Sequence, residues 1–348
     1  MTKPNPSVLS LSKDDHAQTT NTSRMRYHVD AWDPGYGSSD DLSLDPSTAN
    51  LVVDVERPAE QWQPIQAGNG DLPAAVVFVD GVRRIDAQLW LEHIDDPGTV
   101  DLGLAASYAA GAVCCCTAGA HLVRTLPRRA VFTAAAKAQP ISTSAGSYEL
   151  VHTSPDPGRP PAQVLSQSVQ NRLADLELIA ASEARQELGE HCPGSADGND
   201  LLVVDGPLRG RERLPRALGY IKSHHSTYLP PELNALVARL PPGQRTPVFR
   251  IGTTWDRHTW YLRLPGRPGA PWAGIVRVEA SADLPAEHVV ALAGLSQQVL
   301  PGYASAAYKD PRAPQNLYPI AGLERELKHR LGAQRLLERA LRSASGSG

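Results

Sequence analysis

Apolar and polar positions along this chain fall into two periods, one suited to strands and one to helices. Residues 1–50 are rich in Pro, Ser, Thr, Asp and Asn and show little periodicity, so they are expected to form a largely disordered or extended segment. The run "LVVDVE" (51–56) predicts a first strand, and the more hydrophobic "AAVVFVD" (74–80) a second. Past Gly81, the residues Val82, Arg84, Asp86 and Gln88 oppose Arg83, Ile85, Ala87 and Leu89, an imperfect alternation that carries the strand to about Glu92. The turn "HIDDPGTVD" leads into "LGLAASYAAGAVCCCTAGAHLV" (102–123), expected as a buried strand or a closely packed helix. Together these segments suggest an antiparallel meander of three strands.

Residues 123–160 read as loops and short strands, punctuated by "AGS" and "SPDPGRPP". The clearest helix follows at 161–188, where Val164, Leu165, Val169, Leu173, Leu176, Ile179 and Ala180 recur at three and four residues. A strand is expected at 201–205, a helical turn at 211–219 and a strand running into a loop at 220–229. The order then continues as helix (230–240), three strands (246–254, 258–266, 272–281), helix (284–300) and a charged amphipathic helix (320–342) broken at Gly332. Strands grouped in a meander and then alternating with helices argue for a mixed α/β sheet covered by helices. One domain is expected over 51–343, with a flexible tail at 344–348.

Composition narrows the class. The chain has 348 residues, 41% of them hydrophobic and 20% charged, enough to bury a sizeable core. A net charge of -3 offers no global attraction to nucleic acid or to an acidic membrane, so any such affinity must be local. The uncharged stretch 102–123 is long enough to span a bilayer, but its Ala, Gly, Cys and Ser content is too weakly hydrophobic for a spanning helix. The N-terminus has no apolar core of signal-peptide length. Cys114, Cys115, Cys116 and Cys192 lack CxxC or Cys/His zinc spacing. They read as small buried hydrophobes in a reducing cytosol, and the expected location is cytoplasmic.

Two short β-branched, apolar runs stop on the same dipeptide, Asp80-Gly81 and Asp205-Gly206. Ligand sites in open α/β sheets gather at the carboxyl ends of strands. Two aspartates there would repel unless one kept a proton or a cation sat between them, and hard Mg²⁺ or Mn²⁺ suits carboxylate oxygens. Asp-Gly is also a common turn dipeptide, so the pair alone is a weak signal. The helix between the two strands offers Glu177, beside the apolar stripe, or Glu183, six residues later. The order strand-Asp, helix-Glu, strand-Asp matches two-metal phosphodiester chemistry.

From Asp205 to Arg277 there are twelve Lys/Arg against four Asp/Glu, with Trp255, Trp260, Tyr261 and Trp272 interleaved. That pattern suits single-stranded nucleic acid, or equally a solvated arginine-rich surface. "KSHH" (Lys222 to His225) could position a phosphate or exchange protons.

The segments "FVDGVRRID", "NRLADLELIAASEA", "LLVVDGPLRG", "LGYIKSHHSTYL", "WYLRLPG" leading into "WAGIVRVE", and "NLYPIAGLERELKHRLG" resemble, in order and spacing, NurA-type nucleases. The resemblance runs from about residue 70 to 335, with weaker support from "AWDPGYG" near the start. It implies an RNase H-like mixed sheet flanked by helices and an exo- and endonuclease of DNA that uses Mn²⁺ or Mg²⁺, with two ions expected. It also implies a homodimer docked on a HerA-type hexameric ATPase and translocase, acting in DNA end resection and repair or in phage defence. Carried onto this chain, the metal-binding and catalytic acids are Asp80, Asp205 and Glu177, with Glu183 the rival on the helix, and Lys222 is the basic residue that follows. Arg83, Arg84, Arg209, Lys222, Arg250 and Arg263 are the candidate DNA contacts, and His329 stands nearest the C-terminal histidine of the archaeal pattern. A rival reading is a non-catalytic adaptor that keeps the nuclease fold and binds DNA or a translocase. An actin-like ATPase ranks lower, because Gly-Val-Arg-Arg follows Asp80 without a phosphate-binding Gly and Ser/Thr pattern, and no GxxxxGK[ST] occurs.

Overall fold

The computed structural model describes residues 49–93, 98–192, 198–224, 227–266 and 269–345. The expectation of a disordered N-terminal segment therefore lies almost wholly outside the described residues. Ala344 and Ser345, expected in the tail, close the last helix, and the rest of the tail lies outside the description.

The chain folds around a mixed sheet of eleven strands among the described residues. In chain order they are β1 (Asn50–Val52), β2 (Ala75–Glu92), β3 (Val100–Cys116), β4 (Gly119–Thr133), β5 (Ile141–Thr143), β6 (Gly146–His152), β7 (Asp200–Asp205), β8 (Ala217–Ile221), β9 (Phe249–Gly252), β10 (Asp256–Arg263) and β11 (Ile275–Ser281). The helices are α1 (Pro161–His191), α2 (Pro231–Ala238), α3 (Ala286–Val299), α4 (Tyr318–Arg330) and α5 (Gln334–Ser345). Across the sheet the order is β1-β9-β10-β11-β8-β7-β2-β3-β4-β6-β5.

Strands β2, β3 and β4 form the expected antiparallel meander. The small-residue segment lies within it as β3 and the turn into β4, and Ala105, Ala106, Ala109, Ala110 and Ala112 of β3 are fully buried. Helix α1 packs on one face of the meander and α4 on the other, so side chains no larger than a methyl let both helices approach. Residues 123–160 hold more strand than expected, because β4 runs unbroken to Thr133. Its partner β3 supplies a ladder along nearly the whole length, which outweighs the poor local pattern and Pro127. The expected helical turn at 211–219 is instead a series of turns leading into β8 at Ala217.

After α1 crosses over, β7 lies parallel to β2, and β8 parallel to β7. A three-stranded antiparallel meander, a helical crossover and two parallel strands make the expected mixed sheet flanked by helices. Alternation then sorts the core. Ala75, Val77, Val79, Leu202 and Val204 meet Ala181, Ala184 and Leu188 of α1. Val76, Phe78, Val82, Leu201 and Val203 meet α3 and α4 through Val289, Leu292, Ile320, Leu323 and Leu327. No described helix is long and apolar enough to cross a membrane.

Candidate active site

Register brings the two aspartates side by side. Val79 of β2 pairs with Val204 of β7, and both strands point the same way, so Asp80 and Asp205 follow as neighbours; Asp205 ends β7, as expected, but Asp80 lies within β2, which continues along β3 to Glu92. By alternation both side chains lie on the face shared with Phe78 and Val203, toward α4. Lys222 follows β8, the next strand over, and its Nζ lies 2.6 Å from Asp205 Oδ2 and 3.3 Å from Asn316 Oδ1. Asn316, just before α4, is fully buried and also donates to Asp310.

Glu177 reaches this place from the opposite face. It sits within the buried stripe of α1, four residues after Leu173 and four before Ala181, and is only 6% exposed. Its carboxylate ion-pairs with buried Arg211, in the loop after β7. The approach depends on Gly81, whose missing Cβ would collide with Glu177 Oε1 and Leu173 Cδ1. The glycine after Asp80 thus leaves a gap on the α1 face of β2, which Glu177 fills in approaching the two aspartates. At the second Asp-Gly the reason differs: Gly206 has φ 103°, where an L side chain is strained.

The electrostatics follow from that crowding. Burial, then the Asp205 charge, then Glu177, raise Asp80 well above the usual carboxylate range, against Lys222 and a hydrogen bond from the Gly81 N–H. Burial with the Asp205 charge pushes Glu177 up to about 7, although Arg211 pulls it down. This cluster holds more carboxylate than its two cations neutralise, and all its donors are hard oxygens. That donor set fits a divalent ion such as Mg²⁺ or Mn²⁺. Among the described residues, the one group of potential ligands closed to within 4.8 Å is elsewhere, so the acids must leave Lys222 or Arg211 to close on an ion.

The other candidates fall in several places. Glu183, two turns farther along α1, pairs with Arg124 on the half-exposed surface and does not join the cluster. His329 is exposed in the last turn of α4, thirteen residues from Asn316, or about 20 Å along a helix. Arg83 is exposed and donates to Gln170, and Arg209 is exposed beside the site loop. Arg84 binds Asp86 and the carbonyls of Leu331 and Gly332, tying β2 to the end of α4. Arg263 is spent on the carbonyls of Ala238, Pro271 and Ala273, and Arg250 pairs with Asp256. His225 lies outside the described residues.

Only part of the basic, aromatic tract 205–277 is available as a surface: Arg209, Arg213, Arg216 and Arg239 are exposed, while other members lie in the core. Arg211, Arg245, Arg257 and Arg277 are buried against Glu177, Glu56 and Glu279. Trp260 and Tyr261 are core residues, 0% and 2% exposed. They alternate along β10 between two covered faces, and periodicity cannot separate such a strand from a stacking platform. Two members of the cluster were not singled out from sequence: Arg211, hidden among other arginines, and Asn316, the first residue of "NLYPIAGLERELKHRLG".

No protein-family model and no curated protein matches the sequence. Among solved structures, the crystal structure of the NurA nuclease from Sulfolobus solfataricus is similar over 78% of this chain and 85% of that one, with 10% identity and a TM-score of 0.39.

Proposed function

We propose that this chain is a divalent-metal-dependent DNA nuclease. The observation that carries the reading is the pairing of β2 with β7, which sets Asp80 beside Asp205, with Glu177 arriving past Gly81. Asp80, Asp205 and Glu177 would hold Mn²⁺ or Mg²⁺, two ions in the full site. Bound ions would polarise the phosphodiester and neutralise the charge it develops. Burial raises the carboxyl pKa of Asp80 and of Glu177, the latter to about 7, so a bound cation would compete with protons at both. Lys222, released from Asp205, is placed to bind a phosphate oxygen, and Arg83 and Arg209 can follow the backbone outside. The sequence resemblance further suggests a homodimer on a HerA-type hexameric translocase, in end resection and repair or phage defence.

A second reading is an adaptor that binds DNA or a translocase without cutting. It is favoured by Lys222 and Arg211, which already compensate Asp205 and Glu177 in the manner of structural ion pairs. Incubating the purified chain with linear DNA and Mn²⁺ separates the two. The nuclease reading expects cleavage that falls at least about a hundredfold in Asp80→Asn and in Asp205→Asn. Binding without cleavage, unchanged in both variants, would establish the adaptor.

A further inference from the structure

We propose a second metal site, a closed structural Zn²⁺ site formed by Cys114, Cys116, His121 and Cys192. The sequence shows no zinc spacing because the ligands are set by strand geometry. Cys114 and Cys116 are two residues apart on β3 and so project to one face. His121 on β4 pairs directly with Cys114 across the hairpin and projects to that same face. Helix α1 ends there, with Cys192 as its C-cap. The four ligand atoms all lie within 4.8 Å of one another.

Two further observations point to a cation. His121 Nδ1 lies 3.2 Å from the Gly119 carbonyl. Donating that bond makes Nδ1 the protonated nitrogen and turns the Nε2 lone pair toward Cys192 Sγ, 3.8 Å away. Metal-bound histidines are oriented by such a bond on the other ring nitrogen. None of the four cysteines is in a disulfide, and Cys114 Sγ lies 3.0 Å from Cys192 Sγ. Tetrahedral zinc at about 2.3 Å from sulfur and 2.0 Å from nitrogen separates its ligands by about 3.5–3.8 Å, so a small opening of that sulfur pair completes the site. Three soft thiolates and one imidazole select zinc over the hard cations suited to Asp80 and Asp205. Four protein ligands leave no open position, so the ion would clamp the β3–β4 hairpin tip to the end of α1. Cys115, one residue out of phase, faces Tyr303 on the other side of the sheet and is excluded.

The test is metal content and cobalt spectroscopy on the full chain purified under reducing conditions. About one equivalent of zinc is expected in the wild type and in Cys115→Ser, and none in Cys116→Ser or His121→Ala. Exchange of zinc for Co²⁺ in the wild type should give tetrahedral absorption with thiolate charge transfer, which cobalt held only by carboxylates would not show. This readout needs no variant to fold. A wild type with no zinc and no thiolate–cobalt band would overturn the proposal, as would a mass showing a Cys114–Cys192 disulfide that forms even with Zn²⁺ supplied.

Discussion

Gly81 shows how one residue type can serve a neighbour's chemistry. Its side the strand presents to α1 is bare, and Glu177 occupies the space. Gly81→Ala would push Glu177 away while leaving Asp80 and Asp205 in register. Such overpacking costs about 1–3 kcal/mol, so the fold should survive. Mn²⁺-dependent cleavage is expected to fall at least about tenfold, with the melting temperature lowered by a few degrees. Wild-type cleavage by Gly81→Ala would remove Glu177 from the site. Asp80 and Asp205 were legible in the sequence because each ends a β-branched run. Gly81's role was not, since it depends on a helix nearly a hundred residues away.

At the scale of elements, α1 was the most legible and also the most ambiguous. Its apolar period gives most of its buried face, although Ile179 is exposed and the helix runs on to His191, and Leu173 and Ala181 place Glu177 on that face rather than Glu183. Burial has a consequence for pH. The folded value for Glu177, about 7, lies above its ordinary 4.5, so the native chain binds more protons than the unfolded chain between them. Metal-free stability from this group is therefore greatest below about 4.5 and declines as pH rises through about 7. A bound divalent ion opposes that decline. Thermal melts with and without Mn²⁺ should show stabilisation that is small near pH 5 and larger near pH 8, and that is much reduced in Glu177→Gln. A Mn²⁺ shift independent of pH, or equal in the variant, would mean that Glu177 does not bind the ion. The strand β4 and the Cys/His group were hidden for one physical reason: both are specified by a partner across the sheet, and a one-dimensional pattern carries no partner.

The whole molecule is where sequence reading reaches farthest and then stops. The succession of meander, helix and strand was enough to expect a mixed sheet and to place Asp80 and Asp205 on neighbouring strands. It did not reveal that β1 closes the far edge against β9, or that Arg211, Lys222, Arg245, Arg257 and Arg277 of the arginine-rich tract are buried inside the fold. The account rests on a long-range fact, the meeting of residues 80 and 205 through the order of strands β2 and β7. The most direct measurement is anomalous scattering from crystals of the chain soaked in Mn²⁺. The expected result is a manganese peak at the Asp80 and Asp205 carboxylates, with Lys222 drawn off Asp205. Ordered carboxylates with no peak, and Lys222 still paired with Asp205 at saturating Mn²⁺, would contradict the account.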